Sequence, residues 1–271
     1  MTAPTGVRTG VGLRASTLFL LDSNGYIAAA SPTTPYEGVK FIGGKVHTVN
    51  DKEPRTFWHA GDDRIVNGDM LPPLEGVTGE MQMGVISDVV DALIADQKAF
   101  TVGTGVYMGG GTNKRGFEAQ VGLLSFQHAV DADQDAGSNG LGGWNSLIYP
   151  NCRLFRREVG MVDQIMSRPY TILPAIVSKH IWGTAFVEGT EGFTSAQFLS
   201  GYTRGRPKLI AWQGNNTLVE FSFPVLYPAI VASVSVWLNG VLTIPTTVTT
   251  TKITMATAPG TGVNMTVAYE Y

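Results

Sequence analysis

The last sixty or so residues constrain the fold more than any other stretch. Between Leu209 and Tyr271 the only charged residues are Glu220, Lys252 and Glu270, and threonine takes the place of charge at Thr243, Thr246, Thr247, Thr249, Thr250, Thr251, Thr254, Thr257 and Thr261. Apolar residues alternate with period two. Val234, Val236 and Leu238 fall on one face, with Ser233, Ser235 and Trp237 on the other. Val263, Met265, Val267 and Tyr269 share a face opposite Asn264, Thr266 and Ala268. Side chains alternate between faces along a strand, so this pattern specifies β-strands with one buried side. Asn239-Gly240 supplies a two-residue hairpin turn, and "APGTG" turns the chain into its final strand. We read residues 213–271 as a separate small all-β module, with the break at "AWQGNN".

The remainder is also strand-like. "STLFLLD" runs into the turn "DSNG", followed by "YEGVKFIGG", "KVHTVND" and "TFWHAGDDRIV". In "MLPPLEG" each proline pushes its predecessor out of the helical region. Residues 1–16 read as an extended arm without periodic apolar spacing. Two helices are expected. One covers about 88–97, with Ser87 as N-cap, Asp88 and Asp91 in the first turn, and Val85, Val89, Ala92, Leu93 and Ala99 as its apolar stripe. The other is a two-turn helix with Thr194 and Gln197 as a capping box, Phe193 and Phe198 as a staple, and Gly201 as its stop. Glycine-rich stretches at 103–116 and 131–143 interrupt the strands.

Composition narrows the function. The chain has 271 residues, 15% of them charged, and a net charge of -3. Globular domains average about 25% charge, so the surface is poor in charge, while a 44% hydrophobic content excludes a mainly disordered chain. No basic excess exists to neutralise phosphates, which argues against sequence-specific duplex binding. No apolar run approaches the ~20 residues of a spanning helix. Leu18 to Leu21 is too short for a signal peptide's apolar core, so nothing marks export. The single Cys152 excludes an internal disulfide framework and a cysteine-based zinc site.

A search for chemistry returns no catalytic, cofactor or metal grouping. Asp131, Asp133 and Asp135 alternate like a calcium loop, but the sixth and twelfth positions are Ala136 and Gly142, where glycine and a bidentate acid belong. "GTGVYMGGGTNKRG" fails as a phosphate loop, because Arg115 follows Lys114 and Met108 replaces a required glycine. His47, His59, His128 and His180 are too scattered to chelate zinc from one helix face. His59 with Asp62 and Asp63 lacks a nucleophile. Asp62, Asp63, Asp69, Glu75 and Glu80 crowd one stretch and could act as paired carboxylates, although Arg55 and Arg64 offer them ion pairs. Trp58, Trp144, Trp182, Trp212 and Trp237 serve either as a sugar platform or as packing. The balance is a non-enzymatic protein whose surface is covered by copies of itself. Tyr107 and Met108 in the first glycine-rich stretch, with Leu141 and Trp144 at the end of the second, are the candidate inter-subunit anchors.

"LPPLEGVTGEMQMGVISDVVDALIADQKAFTVG", "GFEAQVGLLSFQHAVD" and "SKHIWGTAFVEGTEGFTSAQFL" resemble the central stretch of major tail proteins of long-tailed bacteriophages. The resemblance spans most of residues 35–212. "VSVWLNGVLTI" and "TTKITMATAPGTGVNMTVAYEY" are similar to a small β module common in virion proteins. The resemblance implies a mainly β fold of two packed antiparallel sheets with a flanking α-helix, the tail-tube fold, over residues 17–212, plus the small C-terminal all-β module. It implies hexameric rings that stack into a tube. The lumen would hold the tape-measure protein and then pass DNA without binding it specifically, and other tail components would cap the tube ends. The chain would be made in the host cytoplasm and reside in the virion tail, with no cofactor and no membrane. Tail-tube lumens tend to be negative, in keeping with the net charge. The N-terminal arm has no counterpart in the family pattern. Two alternatives stand beside this reading: a capsid decoration or baseplate role, and a glycan or cell-surface adhesin using the C-terminal unit.

Overall fold

The computed structural model describes residues 8–41, 48–51, 58–59, 65–67, 77–83, 98–102, 105–109, 120–131, 143–156, 160–162, 165–174 and 199–271. The protein is mainly β, and every strand ladder among these residues is antiparallel. The first strands are β1 (Arg8–Leu20), β2 (Val39–Phe41), β3 (Thr48–Asp51), β4 (Trp58–His59), β5 (Ile65–Asn67) and β6 (Val77–Met83). Next come β7 (Lys98–Val102), β8 (Gly105–Gly109), β9 (Val121–Asp131), β10 (Gly143–Arg156), β11 (Gly160–Val162), β12 (Ile165–Pro174) and β13 (Leu199–Thr203). The C-terminal strands are β14 (Pro207–Gln213), β15 (Glu220–Ser222), β16 (Ser235–Leu238), β17 (Val241–Thr243), β18 (Thr247–Val248), β19 (Lys252–Thr254) and β20 (Asn264–Glu270).

The largest sheet follows the order β2-β1-β9-β10-β12-β6-β3, with β11 on β12 and β13 on β10. It does not lie flat. β10 pairs with β9 and β13 through its first half and with β12 through residues 152–156, with a register break between Tyr149 and Cys152. Gly79 is level with Ile172 and, one strand further, with Leu154. On a flat sheet Tyr149 would then lie about 16 Å along and about 10 Å across from Gly79. Its hydroxyl instead comes within 2.5 Å of where a Gly79 β-carbon would be. The sheet therefore folds over near Pro150 and Asn151. Leu18, Leu123, Tyr149, Leu154, Tyr170 and Ile172 form a buried core within the fold. Only a glycine fits at 79, because a side chain there would meet that hydroxyl.

The C-terminal strands form a four-stranded sheet, β14-β20-β16-β17, packed on a three-stranded one, β15-β19-β18. Ile210, Trp212, Phe221, Val236, Ile253 and Val267 fill the space between them. Asn239 and Gly240 take φ values of 45° and 77°, the left-handed pair that a two-residue turn demands, and Leu238 faces Val241 across it. The Asp22 turn also forms, with the carboxylate accepting from the Asn24 and Tyr26 amides at 2.7 and 3.0 Å.

Three boundaries differ from the sequence reading. The arm at 1–16 is not free from Arg8 onward, since β1 pairs with β9 from Arg8↔Asp131 to Leu20↔Val121. Gly10 and Gly12 disguise a strand, and register shifts around Val11, Leu13 and Ala15 absorb the irregularity. The C-terminal unit begins at Pro207 and not at 213, because β14 pairs along its whole length with β20. That unit is also no free appendage. Leu209, Ala211 and Trp237 pack against Phe19, Ile27, Leu124 and Phe126 of the large sheet, forming a third core. The helices expected at 88–97 and 194–201 fall mainly outside the described residues. Ala99, assigned to the first, lies in β7, and Gly201, assigned to the second, lies in β13.

Candidate functional site

Three of the four predicted anchors lie in described strands. Tyr107 and Met108 lie in β8, level with Phe100 and Ala99 of β7, in a hairpin and not in a flexible loop. Residues 105–109 of the glycine-rich stretch at 103–116 are therefore strand. Leu141 lies outside the described residues. Trp144 belongs to β10, between His128 and Thr203. Its half-buried ring meets Phe126 edge-on at 5.5 Å, so it packs within its own chain.

Of the other candidates, Asp131 ends β9, and the rest of the acidic loop, like Asp62, Asp63, Asp69, Glu75, His47, His180 and Trp182, lies outside the described residues. Glu80 is exposed on β6. His59 and His128 occupy strands β4 and β9. Trp212 is fully buried and Trp237 nearly so, which removes both from any sugar platform. Cys152 is buried, and desolvation pushes its thiol well above the usual range, away from reactivity. Among the described residues no three metal-ligating side chains come together, and no helix is long and apolar enough to cross a membrane.

Two surface features stand out. The first is apolar. Among the described residues the large exposed hydrophobic side chains all belong to the C-terminal unit, led by Val225 (96% exposed), Ile244 (88%) and Leu226 (81%), with Val241 and Leu242 on edge strand β17. Single exposed aliphatics are ordinary. The hairpins β4–β5 and β7–β8 add a related feature. Among the described residues each is a two-stranded sheet that joins none of the larger sheets, and an isolated hairpin is marginal in water.

The second feature is polar and lies where the C-terminal unit meets the large sheet. The Lys208 ammonium, 6% exposed, donates to Glu37 Oε2 at 2.5 Å, and Lys40 sits 3.6 Å from the same oxygen. Both ammonium groups lie over the Tyr227 ring, at 3.5 and 3.9 Å from its centre. Burial is the chief reason that Lys208 is pushed down to about 8, with Glu37 opposing it. Arg206 stands over Phe126, Trp144 and Tyr271 at 4.7, 5.6 and 5.6 Å. The cleft between these groups encloses about 20 Å3, room for one water and too little for a drug-sized ligand. Sequence reasoning passed over this cluster because its members come from distant segments. The one available signal was Arg204-Gly-Arg206-Pro-Lys208, three cations at strand spacing.

Comparison with protein-family models, curated proteins and solved structures gave no match.

Proposed function

We propose that this chain is a virion structural protein, the major tail-tube subunit of a long-tailed bacteriophage, forming stacked hexameric rings around a channel for genome ejection. The observation that carries this reading is unmet pairing capacity. Among the described residues the β4–β5 and β7–β8 hairpins pair with no larger sheet, and the large sheet ends on the short edge strands β2 and β3. Such elements gain stability when a neighbouring copy continues the sheet, and a closed ring leaves no edge exposed. The sequence resemblance over residues 35–212 points to the same assembly, and the tail-tube fold with its flanking helix belongs to this proposal. In it the C-terminal unit is welded to the wall through Leu209, Ala211 and Trp237, so its removal impairs the subunit itself. The partners are copies of the chain, the tape-measure protein in the lumen and tail components at the tube ends, and no catalysis is assigned.

Electron microscopy and sedimentation of the purified chain test this. Rings or tubes with sixfold symmetry are expected. A monomer at every concentration, with no tubes even in the presence of tail-tip components, overturns it. Decoration of capsids would instead identify the alternative virion role.

A further inference from the structure

We infer that the cleft between the large sheet and the C-terminal unit is an oxyanion site, taking a single carboxylate or phosphate group between Arg206, Lys40 and Lys208. Three cationic side chains line this cleft against one acidic side chain, Glu37. Glu37 is already engaged by both lysines, at 2.5 and 3.6 Å. The next carboxylate along β20, Glu270, accepts from the Gly205 amide at 2.6 Å and does not line the cleft. Arg206 is the member left over. Its Nε is buried without a hydrogen-bond partner, and among the described residues it forms no ion pair.

Cation–π contact explains where the guanidinium lies, but rings accept none of its N–H groups in the plane of the fork. A planar five-donor group is the side chain best matched to a carboxylate or phosphate. Arg206 is also held in place from behind, because its backbone exchanges both hydrogen bonds with Tyr271, at 3.1 and 3.0 Å. A small anion at the mouth of the cleft would meet Arg206 and two lysines, and would place one oxygen in the water-sized space. The anion can be free in solution or carried as an acidic side chain on a second copy of the chain. This inference does not depend on the tail-tube reading.

Thermal unfolding and sedimentation of the full chain, titrated with inorganic phosphate against chloride at matched ionic strength, test it. A free-anion site gives a saturable rise in Tm. A cleft filled by a second copy gives a saturable shift to smaller species as phosphate displaces the carboxylate. Either response should weaken about 10- to 100-fold in Arg206→Met, the loss expected for charge-assisted hydrogen bonds. Lys40→Met provides a second variant at a more exposed position, should Arg206→Met fail to fold. Phosphate acting no differently from chloride on both readouts overturns the inference, as does an undiminished response in the variants that fold.

Discussion

The four-stranded sheet of the C-terminal unit has two buried faces, and they are built on different principles. The inner face presents Ile210, Trp212, Val236, Met265, Val267 and Tyr269 to the small sheet, an almost wholly apolar layer. The outer face meets the large sheet with Leu209, Ala211, Trp237 and Ala268, interspersed with buried Asn264 and Thr266. Apolar packing asks only for volume and shape. Polar burial demands specific partners, and they are present. Asn264 Nδ2 donates to the Ile27 carbonyl at 2.5 Å, and Thr266 Oγ1 donates to Asn264 Oδ1 at 2.8 Å. The Asn264 amide donates in turn to Asn239 Oδ1 at 2.8 Å. One face supplies bulk stability, while the other fixes where the unit docks.

This contrast can be broken from either side. The largest effect is expected on the inner face. Trp212→Ala removes a fully buried ring that meets Phe221 edge-on at 5.6 Å, and should cost about 3–5 kcal/mol by denaturant unfolding. A loss below ~1 kcal/mol would show that the two small sheets do not share a tight core. The outer face should respond less. Asn264→Ala strands the Thr266 hydroxyl and leaves the Ile27 carbonyl with only the Ala29 amide as donor, and should cost about 1–3 kcal/mol. It should also raise amide exchange around Ile27 while leaving the Trp212 region protected. Uniform loosening of both regions would refute the division of labour between the faces.

The smallest effect belongs to the rim, where Lys208 lies. Its pKa falls from 10.5 to about 8 on folding. Between these values the unfolded chain holds more protons at this site than the folded one, so Lys208 adds stability as pH rises from about 8 towards 10. The gain should be on the order of 1 kcal/mol, read as the difference between the unmodified chain and Lys208→Met. Cys152, Tyr149 and Tyr269 act in the opposite direction in both proteins, because burial raises them in the fold and the unfolded chain ionises them first, beginning with Cys152. Parallel stability curves for the two proteins between pH 8 and 10 would mean that Lys208 is hydrated.

Legibility in the sequence followed the same division. Inner-face alternation, the Asn239-Gly240 hairpin and the Asp22 turn are local patterns, and each appears where the residues place it. The outer face was not legible, since Asn264 and Thr266 look solvent-facing until Ile27, 237 positions away, is brought beside them. β1 was hidden by Gly10 and Gly12, which read as breakers in isolation. The fold-over of the large sheet had no local sign at Tyr149, and its counterpart Gly79 looked like an ordinary glycine. The cleft lined by Arg206, Lys208, Lys40 and Glu37 is legible only once β2 and β14 meet. Trp144 stands beside a glycine-rich stretch in the sequence, and its place in a strand beside Phe126 shows only once β9 and β10 pair.

The pairing of β1 with β9 also sets a schedule for synthesis. Ser16 meets Ser125 across the ladder, hydroxyl to hydroxyl at 2.8 Å, from 109 positions away. At translation rates of about 5–20 residues per second, β1 leaves the ribosome roughly 5–20 s before its partner exists. The strand that waits carries Leu18, Phe19 and Leu20, two of which end fully buried. Early in its life the nascent chain therefore carries a sticky, unpaired edge. The cell must shield it, or make the protein slowly and sparsely enough that such edges seldom meet.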